Sequence, residues 1–226
     1  MIIHFLKRIF SKQNRVEKVA NPFPKKNQHD KSIRKGELGE YKIDIQLAQL
    51  PKPFRFLNDL MIENPKSKTG YSQIDHVVIS PYGLFVIETK NYAGEIKGKK
   101  EDKYWTVNNR FKMYSPLFQN YGHIKAIERI LQNKTNFYSI ISFTMRSRFN
   151  VDPELRKISS NELVVYDVEV SDYIHRKISR LASEKIAPIL DQSQIEEIYS
   201  TLRDKDITDK SIRAEHSKNI QVRKSN

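Results

Sequence analysis

Two short runs of the chain place charged side chains at the ends of apolar stretches. Glu88-Thr89-Lys90 follows Leu84-Phe-Val-Ile87, and Gln73-Ile-Asp75 leads through His76 into Val77-Val-Ile79. Both runs read as strands, in which side chains alternate between faces. Glu88 and Lys90 then share a face with Leu84 and Val86, ~7 Å apart along the strand. Gln73 and Asp75 share a face with Val77 and Ile79 in the same way. Pro81-Tyr82-Gly83 is a turn short enough to make the two strands hairpin neighbours, which puts Asp75 beside Glu88 across the ladder, within reach of one shared ion. Carboxylates and a lysine in such a setting are costly unless paired or metal-bound. Hard oxygen ligands in this number suit Mg²⁺, which keeps several waters and binds through one or two carboxylates plus substrate phosphates. The chemistry would be metal-assisted phosphodiester hydrolysis, with the lysine neutralising charge or positioning the water. The triplet alone decides little, because Glu95-Ile-Lys97 and Glu101-Asp-Lys103 also match it. Spacing therefore leaves a cross-strand salt bridge as the other reading.

The elements that must position these groups follow from periodicity. Residues 36–50 form a helical pattern ended by Pro51 and Pro53, with Glu40 on the stripe of Ile43, Leu47 and Leu50. A bare carboxylate at the start of a core-facing stripe makes Glu40 a third acid for the site. Glu37 and Asp44 lie to the side, as surface charges would. Phe54–Ile62 is a first strand and Asn64–Gly70 a polar turn. Residues 92–109 are polar and Gly-containing, with Trp105 as an anchoring aromatic. Pro116 opens a second helix through Leu117, Tyr121, Ile124, Ile127 and Leu131. Phe137–Thr144 and Leu163–Tyr166 are further strands, and 171–187 and 191–203 further helices. This order predicts an α/β (α+β) domain with a mixed sheet flanked by helices. His76 points to the opposite face from Asp75, for core packing or a structural hydrogen bond. His4, His29, His175 and His216 show no metal spacing.

Composition sets the outer limits. The 226 residues carry a formal charge of +13 and no cysteine. Disulfide scaffolds, Cys-ligated zinc and iron–sulfur sites are thereby excluded, and a cytoplasmic location is expected. The charge is concentrated at the ends. Residues 1–35 hold ten Lys/Arg against Glu17 and Asp30, and 203–226 hold seven against four acids. The expected organisation is a basic arm and linker over 1–35, a globular domain over 36–203 and a basic tail over 204–226. Such arms favour polyanions, although solvated tails have the same composition. Residues 1–10 fail the tests for a signal peptide. A weak amphipathic contact with membrane, packing on the domain and disorder are the readings open to them.

The motifs Gly36-Glu-Leu-Gly-Glu40, Gln73-Ile-Asp-His-Val-Val-Ile-Ser-Pro-Tyr-Gly-Leu-Phe-Val-Ile-Glu-Thr-Lys-Asn-Tyr92, Gly94 and Trp105 resemble the nuclease-related domain family. Ser115-Pro-Leu-Phe-Gln-Asn-Tyr-Gly-His123 is similar to that family's Pro-Leu-x-Gln-Asn-x-x-His helix. The likeness spans about residues 36–145. It implies a restriction-endonuclease-like core of the PD-(D/E)xK type. Asp75, Glu88 and Lys90 would be the acid, acid and lysine of the nuclease motif, and Glu40 the additional acid of the first helix. Gln73 would complete the catalytic set, with Gln119 and His123 as supporting or substrate-contacting residues. The reading is a Mg²⁺-dependent nuclease in which Mn²⁺ can substitute, with DNA favoured over RNA as substrate. A non-catalytic nucleic-acid-binding module on the same fold is the alternative.

Overall fold

The computed structural model describes residues 39–132 and 135–225, with side chains as far as Ile220. The arm 1–35 and Glu37 lie outside the described residues. The helix α1 covers residues 39–47 and stops short of Pro51. Three strands follow, β1 (Arg55–Glu63), β2 (Tyr71–Ser80) and β3 (Gly83–Lys90). After them come β4 (Gly94–Gly98), β5 (Tyr104–Val107) and β6 (Phe111–Tyr114), then the long helix α2 (Pro116–Leu131). The strands β7 (Phe137–Phe143), β8 (Ser147–Val151) and β9 (Glu162–Tyr166) precede the helices α3 (Val170–Ser183), α4 (Gln192–Asp204) and α5 (Lys210–Ser225).

The main sheet has the order β1-β2-β3-β7-β9. Its first three strands form an antiparallel meander, while β3–β7 and β7–β9 are parallel. It is the mixed sheet expected, and the whole is consistent with a restriction-endonuclease-like core. Alternation along the strands decides what each face meets. Val77, Ile79, Leu84 and Val86 pack against Ile124, Ile127 and Leu131 of α2 and Ile195, Ile198 and Leu202 of α4. Val78, Phe85 and Ile87 pack on the other side against Ile43 and Leu47 of α1 and Tyr173, Ile174 and Leu181 of α3. With helices on both faces, β3 must be apolar throughout its first half, and Leu84 to Ile87 are fully buried.

Two local devices fix the hairpin. Gly83 has φ +128°, and a Cβ there would come within 2.3 Å of the Asn136 carbonyl oxygen, so no other residue fits this turn. The Ser80 hydroxyl donates to the Gly83 carbonyl at 2.8 Å, closing the turn from the other side. The second helix starts as its sequence requires: the Ser115 side chain accepts from the Phe118 N–H, and Pro116 occupies the first turn.

Two parts differ from the sequence reading. Residues 92–109, expected to be an irregular polar loop, supply β4 and β5 to a small second sheet of order β6-β5-β4-β8. These strands are four or five residues long and bury only one face, so their period-two signal is too brief to see. Trp105 is the anchor expected, fully buried there, with its indole N–H on the Lys99 carbonyl at 3.0 Å. Residues 204–226, read as a tail, contain α5. The chain approaching it runs along β1: the Ile207 N–H donates to the Met61 carbonyl (2.8 Å) and the Met61 N–H to Asp206 Oδ1 (2.9 Å).

A candidate nuclease site at the open end of the hairpin

The β2–β3 ladder pairs Ser80 with Gly83 and continues to His76 opposite Ile87. One step further the pairing changes character. The Thr89 N–H donates to Asp75 Oδ2 at 2.6 Å instead of to a backbone carbonyl. Asp75 thus caps a backbone donor released where the strands part. The Glu88 side chain lies on the α2 face, where it meets Gln119 and His123 of that helix.

Glu88 is the centre of the polar cluster and is only 3% exposed. Its Oε1 accepts from Lys90 Nζ at 2.6 Å and from Gln119 Nε2 at 2.7 Å. Lys90 Nζ also donates to Gln119 Oε1 at 2.9 Å, closing a ring of three hydrogen bonds. That ring fixes the orientation of the Gln119 amide, since its oxygen must meet the ammonium and its nitrogen the carboxylate. Gln119 and His123 are one helical turn apart, so α2 presents both to the same strand end. His123 Nε2 is 3.3 Å from Glu88 Oε2, near enough for its charge to act but outside hydrogen-bond alignment. Oε2 is left as a buried oxygen with no hydrogen-bond partner.

The two carboxyl groups are driven apart in acidity. Burial raises Asp75 well above the usual range, and the negative charges of Glu88 and Glu40 add to this, against the Thr89 N–H and Lys90. Burial would raise Glu88 too, but Lys90 and His123 outweigh it and bring its carboxyl down to about 2. For Lys90, burial opposes the charge while Glu88 and then Asp75 favour it, and the net shift is upward. The cluster therefore holds two carboxyl groups of opposite tendency, with Glu88 favoured as the anion beside a charged Lys90 and Asp75 shifted toward its neutral form.

Glu40 is half-buried and reaches the site from the other side of the sheet, because α1 packs on the face opposite α2. Gly39 makes this approach close: a Cβ there would lie 3.6 Å from the Thr89 methyl. Glu40 is raised by burial first, then by Asp59, Glu88 and Asp44, with the His76 charge opposing. Gln73 does not touch the Glu88 cluster. Its Nε2 donates to Asp59 Oδ1 at 2.6 Å. Asp59 itself went unnoticed in the sequence. The register Asn58–His76 and Leu60–Ile74 sets it across from Asp75, and its φ of 51° is left-handed. Such a conformation costs ~1–3 kcal/mol and persists only where its surroundings impose it. An aspartate flanked by Asn58 and Leu60 gives no periodic signal of that kind. His76 makes the structural hydrogen bond expected of it: its Nδ1 is 3.1 Å from Asn58 Oδ1 and 3.2 Å from Asp44 Oδ1. Asp44 is accordingly a partner of a buried ring and not a free surface charge.

The site can be tested as a cation site on its own atoms. Among the described residues, no three His, Asp or Glu side chains are gathered so that they could hold a metal ion together. What is present is a pair of hard carboxylates, one with an unpartnered buried oxygen, with a third acid, Glu40, close enough to raise Asp75. This donor set fits an ion that takes one or two carboxylates and completes its shell with water and phosphate oxygens.

Residues 35–144 match the nuclease-related domain family. The matched stretch contains Glu40, Gln73, Asp75, Glu88, Lys90, Gln119 and His123, and ends before β8, β9 and the last three described helices. An uncharacterized protein of Bacillus anthracis is 29% identical to the chain over 188 residues, covering 81% of this chain and 82% of the relative. No solved structure matches it significantly. No helix among the described residues is long and apolar enough to cross a membrane.

Proposed function

We propose that the protein is a metal-dependent nuclease that hydrolyses phosphodiester bonds, with DNA favoured over RNA as substrate. The observation that carries this reading is the placement of Asp75, Glu88 and Lys90 side by side at the end of two buried strands, within a nuclease-related domain. Asp75 and Glu88 would hold the ion, Mg²⁺ or Mn²⁺, with Glu40 completing its surroundings from the other face. When bound, such an ion supplies charge stabilisation at the phosphate and an activated water. Lys90, held by Gln119, would neutralise charge on the attacked phosphate or orient the water. Gln73, at the mouth of the same strand, would orient the water or a substrate oxygen. The two basic ends would add sequence-independent attraction for phosphates.

The test is cleavage of plasmid and linear DNA, with RNA alongside, in Mg²⁺ or Mn²⁺. Wild type is compared with Asp75→Ala and Lys90→Ala, and melting temperatures confirm that each variant is folded. Cleavage by wild type, lost in folded variants and in chelator, is expected. Equal activity in all three would end the site assignment. Salt-sensitive DNA binding without cleavage by wild type would point instead to a non-catalytic binding module.

A further inference from the structure

The C-terminal helix α5 lies outside the matched nuclease-related domain, yet it is tied to the candidate site through one arginine. Arg213 donates from Nη1 to Asp59 Oδ2 (2.8 Å), from Nη2 to the Asp59 carbonyl (2.8 Å) and to Asp206 Oδ1 (2.9 Å), and from Nε to the Ile207 carbonyl (2.6 Å). The guanidinium thus grips both the side chain and the backbone of the residue whose φ is left-handed. Asp59 passes this on, because its other oxygen accepts from Gln73, two residues before Asp75 on β2. Three residues after Arg213, His216 seats the helix: it is 4% exposed, and its ring meets Tyr71 edge-on at 5.9 Å.

We infer that Arg213 and Asp59 are positioning residues of the site, forming a relay from the C-terminal helix to Gln73. The inference rests on the nuclease reading for its catalytic consequence, but not for the relay itself. Two physical effects follow. With Nε2 of Gln73 committed to Asp59, the amide oxygen is the end left to accept from a water or a substrate hydroxyl, and the amide cannot flip. The arginine also neutralises a carboxylate that would otherwise add to the charge of Glu40 and Asp75, where an anionic phosphate must bind. Lysine cannot take this place, since a point charge cannot hold side chain, carbonyl and a second carboxylate in one fork.

The experiment is a double-mutant cycle in the full chain, Arg213→Met with Gln73→Ala, reading kcat for DNA cleavage and the melting temperature. Each single variant is expected to lower kcat about tenfold, and the double variant to be no slower than Gln73→Ala alone. Arg213→Lys is expected to keep the melting temperature closer to wild type but to stay slow. Effects that multiply in the double variant, or a lowered melting temperature with kcat unchanged, would overturn the relay. A second arm needs no cleavage: the Gln73 side-chain amide signals in a ¹⁵N–¹H spectrum, assigned with Gln73→Ala. They are expected to move alike in Arg213→Met, Arg213→Lys and Asp59→Ala; signals unmoved by Arg213→Met overturn the relay. If wild type cleaves nothing, the nuclease reading falls and the spectrum alone decides the relay.

Discussion

The β2–β3 hairpin has two halves built by opposite rules. Toward the turn, Val77 to Ile79 and Leu84 to Ile87 are fully buried, paired in register and covered by helices on both sides. Toward the open end, Gln73, Asp75, Glu88 and Lys90 hold polar and charged groups at low exposure, and the ladder gives way to a side-chain cap on Thr89. The first half supplies rigidity through apolar burial; the second uses that rigidity to hold groups that would otherwise hydrate separately. A carboxylate as buried as Glu88 is tolerable because its partners are on the adjoining turn of α2 and two residues along its own strand. Chemistry and stability are thereby separated along one pair of strands.

Substitutions can break that separation. The largest effect is expected from Asp75→Asn, which copies the protonated acid in shape but cannot become an anion. Cleavage should fall by about 10²–10³-fold or more, of the order seen when a single transition-state contact is removed, with the melting temperature kept. A matching loss of stability would show that the open half is structural after all. Leu84→Ala, in the closed half, should do the reverse. It is expected to cost about 2–5 kcal/mol of stability by denaturant titration, with the kcat of the folded fraction near wild type.

The smallest effect concerns pH, and the two carboxyl groups pull in opposite senses. Asp75 is raised in the fold, so its contribution is complete at low pH, below the acidity of an unfolded aspartate, and is lost as pH rises through the folded value. Glu88, depressed to about 2, contributes fully above the ordinary glutamate range of 4.5 and loses that contribution as pH falls toward 2. Without divalent ions, removing the Asp75 carboxyl by Asp75→Asn should therefore flatten the decline on the alkaline side and leave the acid limb in place. Melting curves across pH measure this. An unchanged alkaline limb would mean that the Asp75 carboxyl is not raised by the fold.

Much of the hairpin was legible because its signals are local. Alternation put Asp75, Glu88 and Lys90 on one face, and one helical turn on α2 brings Gln119 and His123 to them. The third acid was legible only as an exception, a charge at the head of the stripe of Ile43 and Leu47. What could not be read depends on distant register. Asp59 matters through a left-handed kink opposite Asp75 and through an arginine 154 residues later in the chain. Gln73, expected to work directly beside the acids, is bonded instead to that unforeseen aspartate. The small sheet escaped for another reason, since its strands are too short to establish a period. Residues 204–226 were judged by charge alone, and charge says nothing of a helix whose contacts rest on Arg213 and His216.

The hydrogen bonds that the Asp206 carboxylate and the Ile207 N–H make to the Met61 backbone also bear on how copies of this protein behave toward one another. As the outermost member of the main sheet, β1 carries a row of amide and carbonyl groups that a neighbouring molecule could pair with. The returning chain occupies part of that row and α5 is fastened beside it. The segment beyond the fourth helix is in this respect a guard rail, keeping an otherwise sticky border from recruiting a second molecule.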